Sequence, residues 1–189
     1  MRFALANSLN IPAVKMLAKI GIKPVMQKAY EMGIQDWEPT SKNLDSVGYS
    51  LVLGGRETTL LDIATAYSVF ANEGKKSEPF SIVEVKDPKG KTLYKHKDED
   101  PKQVLSPEVA FIISHILLDN NAREMVFGLN SFLKVPGKTV AAKTGTTDQK
   151  RDNWIIGYTP SFVVGVWIGN NDNKPMNPNI SSGATGASP

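Results

Sequence analysis

The sequence predicts an α+β fold, an antiparallel sheet flanked by helices, and two observations carry that prediction. Apolar residues recur at helical spacing through much of the first 118 positions, interrupted by one hairpin-like segment. From Val140 onward the period shortens, and three strand-like runs follow one another with turn residues between them. Helices followed by a meander of neighbouring strands argue α+β rather than alternating α/β.

Asn10-Ile11-Pro12 reads as a helix start, with Asn10 as the cap and Pro12 in the first turn, and Gly21 as the stop after Ile20. A second helix is expected from about Pro24 to Met32, closed by Gly33. Residues 34–57 read as irregular, broken by Trp37-Glu38-Pro39 and Gly54-Gly55. Leu60, Ile63, Ala64 and Tyr67 then share one helical face, in a helix beginning at Thr58 or Thr59 and ending at Gly74. Asp87-Pro88-Lys89-Gly90 separates two strand-like runs and predicts a hairpin. Residues 95–102 form a charged, solvated loop around Asp98-Glu99-Asp100. Ser106-Pro107-Glu108 supplies a cap, a proline and an early acid for a helix running to Leu118, and residues 127–138 read as loop. The three final strands are expected near 140–147, 154–158 and 162–168. The last is apolar on both faces, which predicts a central strand.

The chain has 189 residues, enough for one domain core, at 41% hydrophobic and 22% charged. Its net charge of +3 sets 22 Lys and Arg against 19 Asp and Glu. The four arginines (Arg2, Arg56, Arg123 and Arg151) are dispersed, as are the lysines, which argues against a nucleic-acid partner. The absence of cysteine excludes disulfides and thiolate chemistry, and no apolar run is long enough to span a bilayer. Residues 1–175 read as part of a domain and 176–189, rich in Gly, Ser, Asn and Pro, as a tail; both ends are expected to be cut edges of a longer protein.

Several short patterns carry little. Neither His96 nor His115 has ligand spacing around it, so no metal and no cofactor is expected. Asn170-Asn171-Asp172-Asn173 lacks the glycine and glutamate of a calcium loop and reads as a polar turn. Gly137-Lys138-Thr139 lacks the upstream glycine of a phosphate loop. Ser131-Phe132-Leu133-Lys134 has the S-x-x-K spacing, but its flanking glycines and proline make a helical turn a poor expectation.

Val140-Ala141-Ala142-Lys143-Thr144-Gly145-Thr146-Thr147 is more informative. On a strand, Lys143 and Gly145 share one face, Thr144 and Thr146 the other, and Gly145 leaves the backbone open to close approach. Such a strand edge, with hydroxyls, backbone N–H groups and an ammonium, suits a carboxylate and a developing oxyanion. A solvated lysine on a hairpin is the plain alternative.

Ser8-Leu9-Asn10, about 130 residues upstream, makes a pair with Lys143-Thr144-Gly145-Thr146. With Gly54-Gly55, residues 59–67, Arg151-Asp152-Asn153-Trp154, Gly157-Tyr158-Thr159-Pro160 and Gly165-Val166-Trp167-Ile168-Gly169 in order, the chain resembles the transpeptidase domain of class A penicillin-binding proteins. The tail Gly183-Ala184-Thr185-Gly186-Ala187 is similar too. The resemblance implies an incomplete penicillin-recognising serine transpeptidase or β-lactamase-like fold and a D,D-transpeptidase that cross-links peptidoglycan stem peptides and is acylated by β-lactams. It implies that Ser8 relays a proton to the leaving D-alanine, Asn10 binds the substrate amide and Lys143 supplies positive charge. Thr144 and Thr146 would hold the substrate carboxylate, beside Gly145, and the Thr146 N–H would form half of the oxyanion hole. It also implies a nucleophilic S-x-x-K upstream of Ser8, a membrane anchor and a glycosyltransferase domain, and work at the outer face of the cytoplasmic membrane or in the periplasm. With only seven residues before Ser8, this chain is expected to be inactive alone. A non-catalytic D-Ala-D-Ala peptide-binding relative and a D,D-carboxypeptidase are the alternative outcomes.

Overall fold

A computed structural model describes residues 1–97, 99–177 and 183–188. Asp98 of the acidic loop and residues 178–182 and 189 of the expected tail lie outside the described residues.

The chain opens with Arg2–Ala6 (α1), Asn10–Ile20 (α2) and Ile22–Met32 (α3). Asn10 is the first helical residue of α2 rather than its cap. Leu9 occupies the cap with extended backbone, and no side chain caps this end. α3 begins two residues before the expected Pro24, directly after Gly21, and closes at Gly33, whose φ of +119° is the left-handed turn glycine adopts without strain. Residues 34–57 are not wholly irregular: 3-10 turns at Gln35–Trp37 and Tyr49–Leu53 flank a short helix, Ser41–Asp45 (α4), capped by Thr40. Leu17, Met26 and Leu51 form one buried cluster that ties these turns to α2 and α3.

Leu60–Ala71 (α5) is the helix around which the layers assemble. The Thr59 side chain accepts from Asp62 N–H and starts it. One face, Ala66, Val69 and Ile63, packs on Met32 and Ile34. Phe70 borders this cluster and, with Tyr67, also reaches the sheet, where Tyr158 completes an aromatic trio with centroids 5.8–6.4 Å apart. The stripe expected from periodicity reaches both layers, Ile63 packing on the Met32 cluster and Tyr67 on the sheet side, because a helix buried between two layers is apolar around most of its girth.

Lys75–Lys76 (β1) pairs with Lys102–Gln103 (β4), and Glu84–Lys86 (β2) with Thr92–Lys95 (β3) across the expected hairpin, where Asp87 accepts from the N–H groups of Lys89 and Lys91. Pro107–Leu117 (α6), capped by Ser106, leads to Glu124–Phe127 (α7), a short helix that the sequence signals do not mark and that meets the expected 127–138 loop only at Phe127. Ala141–Thr146 (β5), Asp152–Thr159 (β6) and Phe162–Gly169 (β7) form an antiparallel sheet in the order β5-β6-β7.

The central strand is therefore β6, not the doubly apolar β7. Among the described residues β7 is an edge. Its Gly165 leaves room for Leu60 of α5, whose Cδ1 would lie 2.9 Å from an added Cβ, while Phe162 and Val164 of the other face are 60% and 52% exposed. Residues Gly183–Ala187 form a π-helical turn packed on this sheet, and Gly183 N–H donates to Thr146 Oγ1.

Candidate active site

Three places in the fold converge at one end of β5. The first is the turn between α1 and α2. Ser8 N–H donates to Leu5 C=O and Leu9 N–H to Ala4 C=O, the paired bonds of a Schellman turn closing α1. The position that glycine usually fills in this turn is Ser8, with φ of +55°. A non-glycine residue held in left-handed backbone carries strain of order 1 kcal/mol. What the serine supplies there is its hydroxyl.

The second place is Lys143 on β5. Its Nζ donates to Ser8 Oγ at 2.7 Å and to Thr144 C=O at 2.7 Å, joining two segments 135 residues apart. Removal of its ammonium from water, with a lesser push from the Arg123 guanidinium, lowers Lys143 from 10.5 to about 8. A lysine so placed exchanges its proton close to neutral pH.

The third is the corner between α6 and α7. Arg123 is 2% exposed. Its Nη2 donates to Leu117 C=O, while Nε is buried with no partner. Desolvation lowers the pKa of this guanidinium, and the Asp119 carboxylate opposes the shift. Asp119 is itself anchored, accepting from Ala122 N–H and pairing with Arg2 of α1 at 2.9 Å.

β5 is held by its neighbour. Thr147 and Asp152 exchange two hydrogen bonds of 2.9 Å across the turn into β6, and the other Asp152 oxygen accepts from Trp167 Nε1 on β7. Gly145 lies opposite Trp154, and an added Cβ would stand 3.3 Å from Trp154 Cβ, a tight contact that Trp154 would have to relieve by a few tenths of an ångström. Thr146 is exposed at the strand's end, with its hydroxyl accepting from Gly183. β5 is an edge strand among the described residues, so half of its backbone polar groups point away from β6.

Of the residues singled out from sequence, Ser8 and Lys143 are in contact. Asn10 is exposed in the first turn of α2, and Thr144, Gly145 and Thr146 continue β5 beyond the lysine. Asn7, Arg123 and Asp152 also shape the site, and neither spacing nor composition points to Asn7 or Arg123.

The other patterns stay apart. Ser131 to Lys134 is a turn with Ser131 Oγ buried and unpartnered, not a helical S-x-x-K. His96 stacks on Phe80 with centroids 3.6 Å apart, and His115 lies on α6. No group of three or more His, Asp or Glu among the described residues could hold a metal. An apolar cavity of ≈ 620 Å³ opens at the opposite end of β5, beside Thr139, Phe111 and Tyr158, and includes none of the site residues.

The family model described as the penicillin binding protein transpeptidase domain matches residues 1–184. The chain is 33% identical over 184 residues to penicillin-binding protein 1A of Aquifex aeolicus, covering 96% of this chain and 23% of that protein. It is 36% identical over 186 residues to penicillin-binding protein 1A of Clostridium botulinum (strain Langeland), covering 97% of this chain and 22% of the relative. The chain thus spans about a quarter of the length of these relatives. Penicillin-Binding Protein 1A from Haemophilus influenzae is similar in fold, with a TM-score of 0.81 at 24% identity over 98% of this chain and 32% of that one. The PonA1 protein from Mycobacterium tuberculosis in complex with penicillin V gives a TM-score of 0.76 at 26% identity, over 93% of this chain and 49% of that one. Matched from residue 1 to residue 184, with the Ser8 turn and the Lys143 strand brought together, the chain belongs to the family of penicillin-binding protein transpeptidase domains.

Proposed function

We propose that this chain supplies the S-x-N and K-T-G-T portion of a peptidoglycan D,D-transpeptidase active site, which performs acyl transfer on D-Ala-D-Ala stem peptides and reacts with β-lactams. The observation that carries this reading is the 2.7 Å hydrogen bond from Lys143 to Ser8. In acyl transfer a serine attacks the penultimate carbonyl, charge develops on its oxygen, and the leaving amine takes up a proton. Lys143 keeps a positive charge beside this centre and Ser8 passes the proton toward the departing D-alanine. Asn10 receives the substrate amide, Thr144 and Thr146 hold the terminal carboxylate beside Gly145, and the Thr146 N–H takes part of the oxyanion charge. The nucleophile belongs to an S-x-x-K segment upstream of Ser8, so the chain alone is inactive. The whole protein carries a glycosyltransferase domain and a membrane anchor, and works on the periplasmic or outer side of the cytoplasmic membrane. The relatives named penicillin-binding, and the PonA1 complex with penicillin V, support a β-lactam ligand.

Intact mass after incubation with a penicillin tests this. The 189-residue chain should stay unmodified. A protein extending it upstream through an S-x-x-K segment should gain one acyl group, about a hundredfold more slowly with Lys143→Ala, the scale on which losing one preorganised donor acts. An adduct on the chain alone, or acylation indifferent to Lys143, would overturn the proposal.

A further inference from the structure

The α1 helix has five residues, too few to hold its own shape in water, so the turn that presents Ser8 depends on ties to the rest of the fold. Two such ties reach the α6–α7 corner. At the start of α1, Arg2 Nη1 meets Asp119 Oδ2 at 2.9 Å and His115 C=O at 3.3 Å. At its end stands Asn7, 2% exposed. Asn7 Nδ2 donates to Phe3 C=O at 2.9 Å and to Ala122 C=O at 2.7 Å, and its Oδ1 accepts from Val126 N–H at 3.0 Å. One amide therefore binds the turn's own helix, the corner before α7 and α7 itself. Ser8, the next residue, sits in the strained left-handed position and receives the Lys143 bond. Left to local preference, a serine would leave that backbone region.

We propose that Asn7 is a positioning residue, whose buried amide locks the Ser8 turn onto the α6–α7 corner and thereby sets the Ser8–Lys143 hydrogen bond. The inference rests on reading Ser8 and Lys143 as the working pair, but its test uses no substrate, so a failure of acylation leaves it standing or falling separately. Side-chain amide geometry suits the job because it offers two donors and an acceptor in one plane. Aspartate keeps the acceptor for Val126 and loses both donated bonds. Alanine loses all three.

The test is the exchange of Lys143 Nζ protons with water, followed by nitrogen-resolved NMR at pH 6 on the full chain, with circular dichroism reporting folding. Asn7→Ala should speed exchange about tenfold, the factor expected from losing one hydrogen bond to a charged group, as should Ser8→Ala. Asn7→Asp should fall between. In a Ser8→Ala background, Asn7→Ala should add nothing, because Asn7 acts through Ser8. A folded Asn7→Ala chain with unchanged Lys143 exchange, or additive effects of the two substitutions, would overturn the proposal. So would unfolding of both Asn7 variants while Arg2→Ala, which cuts the other tie, stays folded; Asn7 would then hold the fold rather than the turn.

Discussion

Replacing Lys143 by methionine should stabilise the chain near neutral pH and lose that advantage in alkali. Methionine keeps the length of the side chain and removes its charge. In the folded chain Lys143 is lowered from 10.5 to about 8, chiefly by desolvation. Below pH 8 it is charged whether folded or unfolded, and folding bears the whole cost of dehydrating it, about 3 kcal/mol at about 1.4 kcal/mol per pH decade. Between about 8 and 10.5 the unfolded chain binds more protons than the folded one, so stability rises with pH and the cost fades. Above 10.5 the group is neutral in both states. Against this, methionine forfeits the bonds to Ser8 Oγ and Thr144 C=O, about 1 kcal/mol each at any pH. The net gain at pH 6 is therefore about 1 kcal/mol, turning to a loss by pH 10. The decisive quantity is the swing between the two pH values, roughly 2–3 kcal/mol, because the hydrogen-bond loss cancels in it. Urea denaturation of both chains at pH 6 and pH 10 measures it. A swing below about 1 kcal/mol, or one of opposite sign, would refute the desolvation of Lys143.

Three further substitutions probe the scaffold. Thr59→Ala removes the 3.0 Å cap of α5 and should cost about 1 kcal/mol in a denaturant titration, and more than Ser106→Ala, whose cap bond on α6 is 3.4 Å; the reverse order would contradict the capping account. Asn153 is fully buried opposite Thr146 with neither amide atom partnered, so Asn153→Leu, similar in shape, should match or exceed the parent stability by up to about 2 kcal/mol, and a clear loss in thermal melting would mean that the amide has a partner.

Much of the fold is legible in the sequence because the signals are local. The Asp87-Pro88-Lys89-Gly90 turn, the caps Thr59 and Ser106 and the glycines at 21 and 33 each act over a few residues, and each ends or starts an element where expected. The turns at 35–37 and 49–53 and α4 are too short to build a periodic pattern. The misreading of β7 has a different origin. Alternation reports which faces are apolar, not which are covered, and Phe162 and Val164 are apolar side chains on an uncovered face. Strand order depends on pairing partners that composition does not name.

The site divides along the same line. The Ser8 and Lys143 segments stand out as ordered motifs, yet nothing between them in sequence states that they touch; the contact is made by α1 docking on α6 and β5 pairing with β6. Asn7 and Arg123 escape notice because what they bind is main chain, and a carbonyl has no sequence signature. What marks the region afterwards is local inconsistency. A serine occupies a glycine position, a lysine gives up hydration, an arginine keeps a buried Nε without a partner, and an asparagine opposite Thr146 has none for its amide. Each lowers stability, and a chain selected for stability alone would have replaced them. Their convergence at one end of β5, on a scaffold whose caps and turns obey local preference, is what is expected where chemistry rather than folding chose the residues.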